Sequence, residues 1–117
     1  MQYLLMIYRN EAEHEGMSEA DTKKMTAEYE TFTQSIIGSG NFKAGDRLRP
    51  VTMATTVRVR DGKILATDGP FAETREQLGG YYLVEAKDLD EAIGIAARIP
   101  TARIGSIEVR PIWVYNK

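Results

Sequence analysis

Thr67-Asp68-Gly69-Pro70-Phe71-Ala72-Glu73-Thr74-Arg75-Glu76-Gln77-Leu78-Gly79-Gly80-Tyr81-Tyr82 lies between two strand-like runs and fixes the path of the chain from one to the other. Gly69 can take positive φ, Pro70 fixes its own φ and biases Gly69 away from the right-handed helical region, and Gly79-Gly80 permits close backbone approach where the next strand begins. A turn held this firmly places something, and Asp68 and Glu73 are the side chains it places. No nucleophile, metal constellation or cofactor fingerprint accompanies them.

On the N-terminal side of this stretch, Thr52 to Arg60 alternates Thr55, Val57 and Val59 with Thr56, Arg58 and Arg60, a β-branched period-two run. Asp61-Gly62 then predicts a hairpin that returns the chain through Lys63-Ile64-Leu65-Ala66-Thr67, so that the Asp68 turn lies beside the Arg-bearing strand. On the C-terminal side, Gly80 to Ala86 reads as a strand. Asp88-Leu89-Asp90-Glu91 caps a helix with Leu89, Ala92, Ile93, Ala96 and Ile99 inward, stopped by Pro100. Gly94 inside that helix predicts a close packing contact, since glycine there costs about 1 kcal/mol relative to alanine. Gly105 to Tyr115 is a last strand, with Pro111 marking a bulge or an edge.

Residues 2–9 are apolar on both alternating sets, Leu4, Met6 and Tyr8 against Tyr3, Leu5 and Ile7, as a central strand covered on both faces would be. Asn10 to Met17 is a polar connector. Ser18-Glu19-Ala20-Asp21 resembles a capping box and opens a helix with the apolar stripe Met25, Tyr29, Phe32 and Ile36, ended by Gly38-Ser39-Gly40. Asn41 to Leu48 is a short strand expected at a sheet edge.

The resulting order, β-α-β-(β-hairpin)-β-α-β, predicts the split β-α-β arrangement of a ferredoxin-like α+β fold, one antiparallel sheet with both helices on one face. The 117 residues form a single domain, 1–117. Two helices cover only one face of the sheet, so the apolar second face predicts a homodimer packed sheet against sheet.

Composition narrows the function classes. A formal net charge of -2 lacks the basic footprint of a nucleic-acid binder. The absence of cysteine excludes disulfides and thiolate chemistry and agrees with a cytoplasmic location. The apolar N-terminus reaches Arg9 too early for a membrane span, and no membrane association is expected.

Asp68 and Glu73 are paired carboxylates that share a proton or split acid and base roles if a dry pocket holds them. As plain structure, Asp68 accepts backbone N–H bonds in the turn and Glu73 pairs with Arg75 or a neighbouring-strand arginine. Both readings stand at this point. Arg58 and Arg60 share a strand face beside the turn, and an arginine fork suits an anionic ligand. The candidate ligand-binding set is therefore Asp68, Gly69, Pro70, Phe71, Glu73, Arg58 and Arg60. His14, with Glu11, Glu13 and Glu15 around it, is too isolated an imidazole for a dedicated metal site, so no metal or cofactor is expected.

The run Asp68 to Tyr82, with Leu89-Asp90-Glu91-Ala92, Ala96-Ala97-Arg98-Ile99-Pro100 and Glu108-Val109-Arg110-Pro111-Ile112, resembles the YCII-related (YciI-like) family, in its DGPF-motif branch. The resemblance implies a dimeric α+β barrel, a suspected enzymatic role without an identified reaction, and for some DGPF-type proteins a link to extracytoplasmic-function sigma factors. It also implies a His–Asp pair, whose places here fall near Glu28 or Tyr29 and near Ile99 and carry neither residue type. The expected function is binding of a small organic, in the arginine-fork reading anionic, ligand near the Asp68–Glu73 turn, with catalysis unidentified. The alternative is a non-enzymatic regulatory protein of the sigma-factor kind.

Overall fold

Alternation along Gln2–Arg9 gives β1, in which Tyr3, Leu5 and Ile7 are buried while Leu4, Met6 and Tyr8 on the other face stay half-exposed. A computed structural model describes residues 1–115. The polar segment after β1 is not a plain connector. Asn10 accepts from the Glu13 amide at 3.0 Å and starts a one-turn helix α1, Glu11–Glu15, whose Glu11 and Glu13 sit favourably at its N-terminal end. Ser18 accepts from the Asp21 amide at 3.1 Å and opens α2, Glu19–Gly38, with Phe32 and Ile36 buried and Tyr29 packed against the core. Strand β2, Phe42–Arg47, is the predicted edge strand.

Thr55–Arg60 and Lys63–Asp68 form β3 and β4, turned by Asp61 at φ 51° and Gly62 at φ 74°, the two positive values that a type I′ hairpin demands. They make a separate two-stranded sheet. Pairing of Thr55 with Asp68 and of Arg60 with Lys63 puts Asp68 at the base of this arm and Arg60 at its tip, about 16 Å apart at strand rise. The Asp68 turn thus lies beside the Arg-bearing strand as expected, but Arg60 stands at the far end of that strand and is not its neighbour. Both faces of the arm are exposed, with Val57 at 61% and Ile64 at 77% on one and Leu65 at 47% on the other. The radius of gyration of 16.4 Å accordingly exceeds the roughly 13 Å of a compact chain of this length.

Strand β5, Gln77–Glu85, starts three residues before the predicted Gly80. Asp88 accepts from the Glu91 amide at 2.9 Å and caps α3, Leu89–Arg98. Its buried stripe is Ala92, Ile95 and Ala96, continued by Ile99. Leu89 and Ile93, expected inward, are each 49% exposed, because the i, i+3, i+4, i+7 set that meets the sheet starts at Ala92. A methyl group placed on Gly94 would meet no atom within 4 Å, so the expected close contact is absent. A 3₁₀ turn, Pro100–Arg103, leads to β6, Ser106–Pro111, which ends at Pro111 on the other sheet edge, four residues short of the predicted end.

The main sheet runs β2-β5-β1-β6 with β5 antiparallel to both β1 and β2. With the arm set aside this is the ferredoxin-like order, and both long helices pack on the face carrying Tyr3, Leu5, Ile7, Tyr82 and Val84. Phe32 meets Tyr82 edge-on at 5.3 Å between centroids, closing that layer. Among the described residues no helix covers the opposite face, which carries Leu4, Met6, Tyr81 and Leu83. Among the described residues no helix is long and apolar enough to cross a membrane.

Candidate ligand pocket

Because β5 is antiparallel to both β1 and β2, those two strands run the same way and end side by side, flanking the start of β5. The period-two rule that buries Leu5 and Ile7 aims the next residue of the same face, Arg9, beyond the core. On β2 the same logic applies to Gly45, opposite Tyr82, and to Arg47, opposite Gly80. Between the two arginines lies Gly79-Gly80, which has no side chain to fill the floor. Gly79 is skipped in the β1–β5 register as a bulge, and a Cβ on Gly80 would stand 2.8 Å from the Asp46 carbonyl oxygen. The result is a pocket of about 420 Å³ roofed by α2 and floored by the ends of β1, β5 and β2.

Ile7, Met25, Phe42, Leu48 and Tyr82 make its wall largely apolar. Gly45 is required there, since a Cβ would come within 2.8 Å of the Tyr82 ring. Tyr29 and Tyr82 point their hydroxyls at internal partners, Thr101 Oγ1 at 2.5 Å and Thr33 Oγ1 at 2.7 Å. Burial raises both phenols above the usual tyrosine range, so they are neutral.

The polar end is made by α1. The Glu11 amide donates to Gln77 Oε1 at 2.9 Å and the Glu11 carboxylate accepts from the Val51 amide at 3.2 Å, which pins this short helix over the start of β5. His14 thereby faces Arg47, with 3.1 Å between Nε2 and the guanidinium NH2. Arg9 gives one N–H to Met17 Sδ at 3.3 Å. Burial, then Arg9 and Arg47, lower the His14 pKa against Glu11 and Glu15, leaving the imidazole neutral at pH 7. Burial also lowers the Arg9 pKa, offset in part by Tyr29 and Glu13. Among the described residues, the buried side-chain polar atoms left without a partner are Arg9 Nε and His14 Nδ1, and both residues line this pocket. An unpaired buried donor costs about 1–3 kcal/mol, so these two mark the place where a partner is missing.

The residues singled out in the sequence lie elsewhere. Asp68, Pro70, Phe71, Glu73, Arg58 and Arg60 are exposed, Gly69 is half-buried at φ 97°, and none of the seven lines the pocket. Neither the Asp68 nor the Glu73 side chain has a hydrogen-bond or ion-pair partner among the described residues, so neither structural bond expected for them is formed. The Thr56 hydroxyl instead holds the turn through the Gly69 carbonyl at 2.9 Å. Sequence reading missed Arg9, Arg47 and the role of His14. The available signal was a charged residue continuing the buried phase of β1. Tyr29, one of the two places at which the family resemblance looked for a histidine, does line the pocket.

The family model of the YCII-related domain matches residues 1–116. The chain is also similar to the uncharacterised protein R00369 of Rhizobium meliloti (strain 1021), with 34% identity over 118 residues that cover 99% of this chain and 95% of that one. With the family model matching nearly the whole chain and the ferredoxin-like topology in place, the chain belongs to the YCII-related domain family.

Proposed function

We propose that the protein binds a small organic molecule in the pocket between α2 and the ends of β1, β5 and β2, and that it does so as a homodimer joined through the open sheet face. The observation that carries the first part is a largely apolar cavity of about 420 Å³, within the range of small-molecule sites, whose one polar end holds the unpaired buried donors Arg9 Nε and His14 Nδ1. The second part rests on the uncovered Leu4, Met6 and Leu83 and on the exposed Val57, Val59 and Ile64 of the arm, an apolar surface that a second copy covers in a dimeric α+β barrel. In this reading the Asp68–Glu73 turn, with Arg58 and Arg60, belongs to the arm that reaches the second copy. We read Asp68-Gly69-Pro70-Phe71 as the mark of the DGPF-motif branch and the cysteine-free chain as cytoplasmic.

Thr26 lies exposed at the mouth of the pocket on α2, so Thr26→Trp fills the entrance without touching the core. Compounds from a metabolite panel that raise the melting temperature of the wild type are expected to lose that effect in Thr26→Trp. Shifts that persist in Thr26→Trp but vanish in Asp68→Asn/Glu73→Gln would move the site to the turn. A panel with no shifts, together with a stoichiometric protein partner that survives salt, would favour the regulatory alternative. Met6→Asp on the open sheet face is expected to halve the mass seen by light scattering, and an unchanged mass refutes the sheet-to-sheet dimer.

A further inference from the structure

We infer that the polar end of the pocket is a carboxylate site for a small acid with an apolar body, the carboxylate being held by the Arg9 guanidinium and by the His14 Nδ1–H. Arg47 is the positioning residue. The inference rests on the pocket reading above and narrows it to a ligand class.

The donor geometry decides the tautomer. A guanidinium has N–H groups and no acceptor, so the 3.1 Å contact between Arg47 and His14 Nε2 requires Nε2 to accept. The neutral ring then carries its proton on Nδ1, and Nδ1 is a buried atom without a partner, as is Arg9 Nε. The polar contact that Arg9 does make, to Met17 Sδ at 3.3 Å, puts a charged donor on a weak acceptor. Among the described residues no carboxylate oxygen lies within 4 Å of either guanidinium.

The carboxylates nearby do not fill that role. Glu11 accepts from the Val51 amide, Asp46 accepts from the Tyr81 hydroxyl at 2.8 Å, and Glu13, whose charge acts on Arg9 without an ion pair, and Glu15 are both exposed. The polar end thus sets Arg9, His14 and Arg47 beside Glu11, Glu15 and Asp46, and Arg9 Nε and His14 Nδ1 are left without an acceptor among them, which leaves that acceptor to the ligand. A planar carboxylate is acceptor-only and matches an arginine fork, and a charge-assisted bond is the strong kind. Behind it Ile7, Met25, Phe42 and Leu48 present hydrocarbon, which selects an acid with an apolar body over a bare inorganic anion.

The test uses matched pairs titrated calorimetrically into the full chain: benzoate against benzamide, phenylacetate against phenylacetamide, and 3-phenylpropionate against its amide, with inorganic phosphate as a separate arm. At least one acid is expected to bind roughly tenfold or more tightly than its amide, and Arg9→Met is expected to remove that preference by bringing the two affinities together. Amides that bind as tightly as their acids, or phosphate that binds as tightly as the best acid, overturn the carboxylate assignment and leave the pocket reading standing. Failure of every member of every pair to bind removes both. Should Arg9→Met fail to fold, the wild type still decides. His14 is the one histidine of the chain, so its imidazole ¹⁵N resonances are unambiguous. They are expected to report the Nδ1–H tautomer at pH 7, with the Nδ1 proton shifted by the acid more than by the amide. Arg47→Met is expected to release the tautomer into a mixture, and an Nε2–H ring in the wild type overturns the proposal.

Discussion

Tyr29→Phe tests whether the roof of the pocket is fastened by a single hydroxyl pair. Tyr29 on α2 meets Thr101 Oγ1 at 2.5 Å across 72 residues of sequence, and Thr101 is 2% exposed. Among the described residues Thr101 Oγ1 makes no other side-chain hydrogen bond. Removing the phenol oxygen leaves a buried hydroxyl unpaired, which costs about 1–3 kcal/mol. For a domain of this length that is a melting-temperature loss of roughly 4–12 °C. Thr101→Val removes the other partner and leaves the phenol at the pocket wall, where water can reach it, so a smaller loss of about 1 kcal/mol is expected. The double variant loses the pair as a unit and should be no worse than Tyr29→Phe alone, giving a coupling energy of about 1 kcal/mol or more in a double-mutant cycle. Urea midpoints at constant m-value measure all four proteins. Strict additivity, or a Tyr29→Phe loss below about 0.5 kcal/mol, would refute the reasoning, because it would mean that the roof is held by the packing of α2 alone.

The remaining predictions concern glycine and histidine. Gly94→Ala in the middle of α3 meets nothing within 4 Å and is expected to stabilise by about 0.5–1 kcal/mol, read from the thermal midpoint. Gly105→Ala drives a Cβ into the Tyr8 carbonyl oxygen and toward Thr101, and is expected to cost about 3 kcal/mol or more or to prevent folding; equal midpoints for the two variants would contradict both assignments. His14 has a folded pKa below its unfolded value of about 6.5, so the unfolded chain takes up the proton first as the pH falls. Its contribution is complete above about pH 6.5 and is lost as the pH falls below that value. Urea midpoints at pH 7.5 and 5.5 should therefore differ less in His14→Gln than in the wild type, and parallel losses would show that His14 is not desolvated between Arg9 and Arg47.

Local rules carry most of the fold. Ser18 and Asp88 cap helices where their side chains promise to, Asp61-Gly62 turns the arm with two positive φ values, and Pro111 sits at an edge. Each is decided within about four residues. The inward face of α3 is not legible in this way, because Leu89, Ile93 and Ile95 are all apolar and only the sheet selects between two overlapping stripes. The same holds for the arm: alternating Thr55, Val57 and Val59 announces a strand, but nothing local says that it pairs with β4 alone and leaves both faces open.

The pocket illustrates why site chemistry is harder to read than secondary structure. Arg9, His14 and Arg47 are spread over 38 positions and meet only because β5 inserts between two strands that run in parallel. The run from Thr67 to Tyr82 contributes to this at its far end. Gly79-Gly80, which the sequence presents as punctuation before a strand, lies inside β5, where Gly79 forms the bulge and Gly80 has the Asp46 carbonyl where a Cβ would go. Both glycines line the pocket that Arg9 and Arg47 also line. The glycines thus do two jobs with one physical cause: absence of a Cβ lets β2 approach β5 closely, and it leaves the floor between the guanidiniums bare. An alanine at Gly79, where only the Ile7 carbonyl is near at 3.9 Å, adds a methyl to that floor with little backbone penalty, so it should weaken ligand binding more than it weakens the fold. If Gly79→Ala lowered stability by several kcal/mol and left affinity untouched, the bare floor would be an accident of strand packing.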